Sequence, residues 1–398
     1  MLEPNIDPSE RIRWQRWQDE WHLRLGVTYL NHGSFGPSPR MVRDAYRHWA
    51  GELEAEPVDF FNRQMPPLLA EARRLLGRFV GTSADNIVFI ENATAGMNAV
   101  AESVRLQPGD EVLTTDHDYG AVVRIWQRAC DLAGARLVVQ PVPVPVESSE
   151  ALIAAVMAGV SDRTKLLVFS HVTSPTALIF PAAELTRQAR QRGLVVCIDG
   201  PHAPAMIPID LDQIDCDFYT ASCHKWLSGP FGSGFLYAHQ RVQATVRPAV
   251  LSWGRHPPNQ PTPASWTDEF TWAGTRDPAT YLAVPAAIDF LVREVGLDAF
   301  RQRTHSLACL ARQSIEELTG MPGIVPDSPG WYGSMITLPP PPGDAFALQD
   351  ALWQRHRIEA PIIAWNGQRY IRVSFHLYND EGQIKLLVAC LQKLLLEM

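Results

Sequence analysis

The chain has no cysteine pair spaced as CxxC. Its six cysteines, at 130, 197, 216, 223, 309 and 390, are scattered through 398 residues. That scatter indicates neither a zinc ribbon nor a dense disulfide framework, so no metal site is expected and most of the thiols read as small buried apolar groups. Long apolar runs are lacking too: nothing reaches the roughly 18 uninterrupted residues of a membrane helix. The opening MLEPNIDPSERIRWQRWQDEW is charged and carries no signal-peptide core. Together these absences point to a cytoplasmic protein without a membrane partner. Basic runs are missing as well. The formal net charge is −8, and no Lys/Arg stripe of the kind a nucleic-acid binder needs is present. A small anionic ligand, held by a few local groups, remains open.

What is present is an ordinary globular composition, with 46% apolar and 20% charged residues. A chain of this length exceeds what one hydrophobic core usually serves. Its middle alternates short β-rich runs with helical stretches: IVFI, EVLTT, RLVVQPV, KLLVFSHV, LVVCID, DFYTAS and GFLYAH, about seven strands between residues 85 and 240. The runs are continuously apolar, as in strands buried on both faces. The expected fold class is α/β, a mostly parallel seven-stranded sheet with helices on both faces, plus a smaller C-terminal α/β domain. Residues 9–25 and 39–80 read as helices with loops. After about 300 come a helix, strands near GSMITL and YIRVSF, and a last helix, EGQIKLLVACLQKLL. Residues 241–275, rich in Pro, Trp and Arg, read as a long excursion. PVPVPV at 141–146 reads as an edge strand or connection. The expected division is 1–30 as a helical segment joining the small domain, 31–285 as the large domain and 286–398 as the small one.

In open α/β sheets, ligands gather at the carboxyl ends of the strands. Each such end carries a polar or aromatic group. ENATAGMN follows IVFI, DHDYGA follows EVLTT, Thr173 and Ser174 follow LLVFSHV, Asp199 ends LVVCID, and Cys223, His224 and Lys225 follow DFYTAS. The last three are a thiol, an imidazole and an amine in a row. Alone, that triplet admits a thiol nucleophile, an acid–base histidine, or a lysine that holds a carbonyl cofactor.

IDGPHA and SCHKW, with Lys225 lying 26 positions after Asp199, resemble the cofactor core of class V aminotransferase-like enzymes. These are fold-type I proteins dependent on pyridoxal phosphate. YLNHGSFG, ENATAGMNAV, DHDYGA, SHVTSPT, AGTRDP and IRVSFHLYND follow in family order across most of the chain, and the resemblance is nearest to the isopenicillin N epimerase-like group. It implies pyridoxal 5′-phosphate as cofactor, with 31–285 as the cofactor-binding domain. Lys225 would be the amine that condenses with the aldehyde. Asp199 would face the pyridinium nitrogen, and His202 would lie beside the ring. Thr94, between Ala93 and Ala95, would bring a helix start to the phosphate, unless it is only an N-cap. Ser222 and His224 match phosphate contacts, and Thr275 matches a residue reaching the phosphate from a second subunit, which implies a homodimer. Tyr119 matches the ring-stacking aromatic and Thr173 a contact to the phenolic oxygen. Arg372 matches the clamp for the substrate α-carboxylate. Asn31 and His32 belong to a segment near the substrate, where His32 is either a second acid–base group or structural. Arg276, with Trp253, Arg255 and His256, would shape specificity, or they are loop and interface residues.

Such a cofactor stabilises negative charge at an amino acid's α-carbon, and several reactions diverge from there. Epimerisation or racemisation needs a second proton donor; β-elimination from a cysteine derivative does not; transamination reprotonates elsewhere. In the desulfurase-type relatives a persulfide cysteine precedes the carboxylate arginine. Here no cysteine lies between Leu310 and Ala389, and PIIAWNGQRYIR offers Trp365 and Asn366 instead. An epimerase-like enzyme is the leading expectation, followed by a C–S β-lyase or aminotransferase. A non-catalytic cofactor-binding protein comes last, since the DNA-binding domain of pyridoxal-dependent regulators is absent.

Overall fold

A computed structural model describes residues 14–254 and 265–397. Its strands, in chain order, are β1 (Thr28–Tyr29), β2 (Ile87–Ile90), β3 (Glu111–Thr115), β4 (Arg136–Gln140), β5 (Thr164–Ser170), β6 (Val195–Asp199), β7 (Phe218–Ser222), β8 (Gly234–Ala238), β9 (Met335–Leu338), β10 (Ile358–Glu359), β11 (Ile362–Trp365) and β12 (Gln368–Ser374). The seven strands expected between 85 and 240 form one sheet in the order β2-β8-β7-β6-β5-β3-β4. Pairs β3–β4, β3–β5, β5–β6 and β6–β7 are parallel; β8 runs antiparallel to both neighbours. The continuous apolar runs are explained by alternation between two cores. Leu166 and Val168 of β5 point into one, Leu167 and Phe169 into the other. Both faces of this stretch of β5 are covered, so its four residues are all apolar, whereas the edge strand β4 is partly exposed and carries Arg136 and Gln140.

The longer helices are α1 (Arg40–Ala55), α2 (Met65–Phe79), α3 (Ala93–Ser103), α4 (Gly120–Ala133), α5 (Ser149–Met157), α6 (Ala182–Gln191), α7 (Leu297–Thr319), α8 (Ala345–His356) and α9 (Glu381–Glu397). Helix α4 shows why such segments are helical. It buries Val122, Trp126 and Cys130, spaced by four, and stops at Gly134, whose φ of 68° is a left-handed cap. PVPVPV is a connection, not a strand.

The C-terminal part holds an antiparallel sheet, β11-β12-β9, packed with α7, α8 and α9. The N-terminal segment is stitched to it: β1 pairs with β10, and Asn31 bridges Ser374. This crossing matters for function, because it brings residues 33–35 and β12 to the carboxyl ends of the large sheet's strands. Of the 241–275 excursion, 243–245 form a 3₁₀ turn and Trp266–Thr271 a short helix, while Arg255 and His256 lie outside the described residues.

Candidate active site

A cavity of about 610 Å³ opens at the carboxyl ends of β3, β5, β6 and β7, beside the start of α3. Lys225, His202, Asp199, Ser222, His224, Tyr119, Thr94, Ala93 and Arg372 line it, so the structure gathers groups spread over 280 positions of the sequence.

Lys225 leaves the end of β7 in a tight turn closed by Ser228 N–H donating to Lys225 O at 2.7 Å and Gly229 N–H to Cys223 O at 2.8 Å. The turn sinks Cys223 out of contact with solvent, and burial pushes its thiol up to about 12. A thiol so disfavoured as thiolate is no nucleophile. Lys225 Nζ lies 3.0 Å from His202 Nε2. The indole of Trp226 donates to His202 Nδ1 at 3.4 Å. An indole only donates, so Nδ1 accepts, and the neutral imidazole carries its hydrogen on Nε2, facing the amine. The amine that accepts it is the free base. Burial agrees: it drives His202 well below its ordinary range, and it lowers Lys225, with the nearby Arg372 charge adding to the effect and Asp199 opposing it.

Asp199 ends β6, buried, and accepts from Thr220 Oγ1 at 3.2 Å. Burial raises its carboxyl, and the Lys225 charge works against that shift. Helix α3 begins at Ala93, where Ser222 Oγ accepts from Ala93 N–H at 3.1 Å and Asn92 caps Ala95 N–H at 2.9 Å. The cap is therefore Asn92, not Thr94, and Thr94, exposed to the cavity, lies one residue into the first turn. First-turn amides and the helix dipole favour an anion there. Beside them, His224 Nδ1 is buried without a partner among the described residues, and burial lowers this imidazole to about 4.

Arg372 projects from β12 across the far side of the cavity. It donates to Ser174 O at 2.6 Å, Ser174 Oγ at 3.0 Å and Ser34 Oγ at 2.6 Å. Its Nε is buried and unpartnered among the described residues, and burial lowers the guanidinium to about 10. A buried cation without a carboxylate is costly unless something anionic joins it.

Seven sequence candidates do not line the cavity, among them Ala95, whose N–H is taken by Asn92, and the exposed Trp253. Thr173 is buried in its own turn, bonded to Thr176 Oγ1 at 2.7 Å and to Leu178 N–H at 2.8 Å. His32 is structural: Nε2 meets Lys225 O at 3.0 Å, Nδ1 meets Tyr378 OH at 2.9 Å, and burial lowers it to about 3. Asn31 is held in its bridge to Ser374. Arg276 is turned outward, paired with Glu91 at 2.7 Å and lying over the Tyr281 ring. Thr275 is exposed and lines no part of the cavity within its own chain. Conversely, Ser34 and Ser174 hold Arg372; the strand end marks Ser174 as a candidate, but nothing local marks Ser34 or assigns either to the arginine, because that partner is 338 and 198 positions away. The Asn366-Gly367 dipeptide was a visible signal. It makes a two-residue hairpin turn between β11 and β12, with φ of 47° and 76°.

Two unmet groups in the cavity, Arg372 Nε and His224 Nδ1, and a buried carboxyl at a strand end suit a ligand that is anionic at two points and carries a ring N–H between. With a free-base lysine beside them, on an open sheet of this topology, they define a fold-type I enzyme dependent on pyridoxal 5′-phosphate. Within that class the chain belongs to the aminotransferase class-V family, whose model matches residues 37–387. It is 37% identical to an isopenicillin N epimerase of Amycolatopsis lactamdurans, over 96% of this chain and 98% of that one. It is 28% identical to a putative L-cysteine desulfhydrase of Oryza sativa subsp. japonica, over 90% of this chain and 81% of that one. Its fold superposes on a cysteine desulfurase from Thermococcus onnurineus NA1 with a TM-score of 0.82, at 19% identity, over 96% and 98% of the two chains.

Proposed function

We propose that the chain is an epimerase: it inverts the α-carbon of an amino acid or of a larger molecule that contains one. The observation that carries this reading is the near full-length likeness to isopenicillin N epimerase. The bound cofactor supplies an aldehyde for a lysine and a ring that withdraws the electron pair of a broken Cα–H bond. The chain's residues do the rest. Lys225, kept as free base by burial and by the His202 Nε2–H, is the covalent anchor and takes the α-proton. Asp199 accepts from the ring N–H. The Thr94 N–H and hydroxyl, with Ser222 and His224, would hold the phosphate, the Ala93 and Ala95 N–H groups being taken by Ser222 and Asn92. Arg372 has spent Nη1 on Ser174 and one Nη2–H on Ser34. Its Nε–H and second Nη2–H then form the side-on fork that orients a carboxylate.

Desulfuration through a protein thiol is disfavoured by the hairpin. Where a mobile cysteine loop is needed there is a two-residue turn, fixed by Trp365 Nε1 donating to Asp116 O at 2.8 Å and Asn366 Nδ2 to Asp116 Oδ2 at 2.7 Å. A second reading, C–S β-elimination from a cysteine derivative, is supported by the likeness to a putative L-cysteine desulfhydrase. It uses the same lysine and clamp. Products separate the two. Holoenzyme is incubated with isopenicillin N and with each proteinogenic L-amino acid, and configuration and 2-oxo acids are measured. Inverted substrate is expected; pyruvate as the sole product overturns the epimerase reading.

We infer also a cytosolic homodimer. All six thiols are free, as in a reducing compartment. Phe35 and Tyr119 at the cavity rim and Phe231 beside His224 are each at least half exposed, an apolar margin suited to cover by a second copy. In such a dimer Thr275 of one copy would serve the phosphate of the other.

A further inference from the structure

Inverting a carbon takes a proton-handling group on each of its faces, and Lys225 supplies one. The cavity's other titratable groups are committed or sit on the wrong side. His202 spends both ring nitrogens on Lys225 and Trp226. Asp199 is buried at the end of β6, between the two walls. His224 is the chain neighbour of Lys225 and leaves the same strand. Arg372 is held by Ser34 and Ser174.

Tyr119 is the group left. It follows β3, whereas Lys225 follows β7, and the order β7-β6-β5-β3 puts two strands between them. At about 4.8 Å per strand the two strand ends stand roughly 14 Å apart. Both side chains line the same cavity of about 610 Å³, from strand ends that far apart, with room for a flat ligand between them. Arg372, the proposed carboxylate clamp, lines the same cavity as the phenol, and the two interact electrostatically. Its loop is rigid. The Asp118 carboxylate accepts from Thr114 Oγ1 at 2.7 Å, Thr115 N–H and Oγ1 at 2.8 Å, and Ser170 Oγ at 2.7 Å, while the hairpin grips Asp116.

We propose that the Tyr119 phenol is the second proton carrier, acting on the substrate α-carbon from the wall opposite Lys225. This rests on the epimerase reading. The Cα–H bond breaks and its proton goes to Lys225 Nζ. The Tyr119 O–H bond breaks and its proton joins the same carbon on the other face. One proton leaves the substrate and one enters, no oxidant is required, and the cycle closes when the Lys225 ammonium releases its proton to water and the half-exposed phenolate takes one from water, a net transfer of one proton between the two carriers.

Tyr119→Phe keeps the ring and removes only the hydroxyl. Parent and variant holoenzymes are compared in D₂O, with isopenicillin N and the same amino acids as probes. Three quantities are followed: enantiomer ratio, α-deuterium content and cofactor affinity by absorbance titration. Inversion is expected to fall at least about 100-fold, the scale of general acid–base catalysis. Exchange of the α-hydrogen facing Lys225 should persist within about threefold of the parent, and cofactor affinity within about twofold, because a single carrier returns deuterium to the face it came from and the stacked ring is unchanged. Tyr119→His, which again carries an exchangeable proton, should recover at least about tenfold over Phe. Parental inversion in Tyr119→Phe overturns the proposal alone, as does loss of exchange, inversion and cofactor affinity together. A parent that never inverts any probe overturns the epimerase reading, and the proposal with it.

Discussion

Asp199 and Arg372 are buried and Lys225 is mostly covered at the cavity wall, and each of these three ionisable residues depends on what stands beside it. For Arg372 the consequence can be measured. Lysine in its place keeps the charge and loses the planar fork. Charged hydrogen bonds of this kind contribute about 1.5–3 kcal/mol, so Arg372→Lys should lose about 10- to 100-fold in kcat/KM with carboxylate substrates. Cofactor affinity should stay at the parent value; a matching loss of it would mean that Arg372 supports the fold of the cavity and not the substrate. At this scale the sequence was legible wherever a residue's position follows from a strand end. Lys225, Asp199, His202, Ser222 and Thr94 sit in the cavity because the chain has nowhere else to put the residue after a buried parallel strand. Thr173 follows a strand too, but it is drawn away by its own turn, in which Leu178 N–H needs an acceptor. Arg276 found Glu91, 185 positions earlier, and no local pattern announces such a partner.

Between β11 and β12 the element itself carries the argument. The hairpin's two turn residues both have positive φ, and its tip is bonded to the loop that carries Asp116, Asp118 and Tyr119. A β-branched residue at Gly367 cannot adopt that conformation without strain of about 1–3 kcal/mol. Gly367→Val should therefore lower the urea midpoint and loosen the Asp116 loop, raising KM more than it lowers cofactor affinity. An unchanged KM would separate the hairpin from the site. Elements of the large sheet were readable because burial on both faces writes an unbroken apolar run. The C-terminal elements were readable as types but not in their reach. That β1 would leave the N-terminus to pair with β10 is a long-range choice, made by packing and not by any run of residues.

Over the whole molecule, buried neutral histidines set a limit at low pH. Burial lowers His32 to about 3 and His171 to about 4, and His376, stacked on His32 with ring centres 4.1 Å apart, is also pushed well below its ordinary range. The unfolded chain binds these protons near pH 6.5, which the folded chain cannot do. The stability they protect is thus complete above about pH 6.5 and lost as pH falls toward 4, at about 1.4 kcal/mol per pH unit for each histidine. Urea midpoints at pH 7, 6 and 5 should fall in steepening order, and a midpoint that does not move would contradict this. The proposed dimer has its own test. Lys225→Ala and Thr275→Ala are each expected to be inactive or nearly so. Mixed and refolded together, they should regain up to about a quarter of parental activity, because half the dimers are hybrids with one intact site of two. No recovery would place Thr275 outside the partner's site.

The guanidinium of Arg372 is held by hydroxyls from residues 34 and 174, made early in synthesis, while the arginine arrives near the end. Until the last strand is in place, the sheet can already display its lysine and its helix start, yet nothing positive waits for a carboxylate. The clamp proposed for a carboxylate therefore exists only where three distant parts of the chain, at 34, 174 and 372, are folded together.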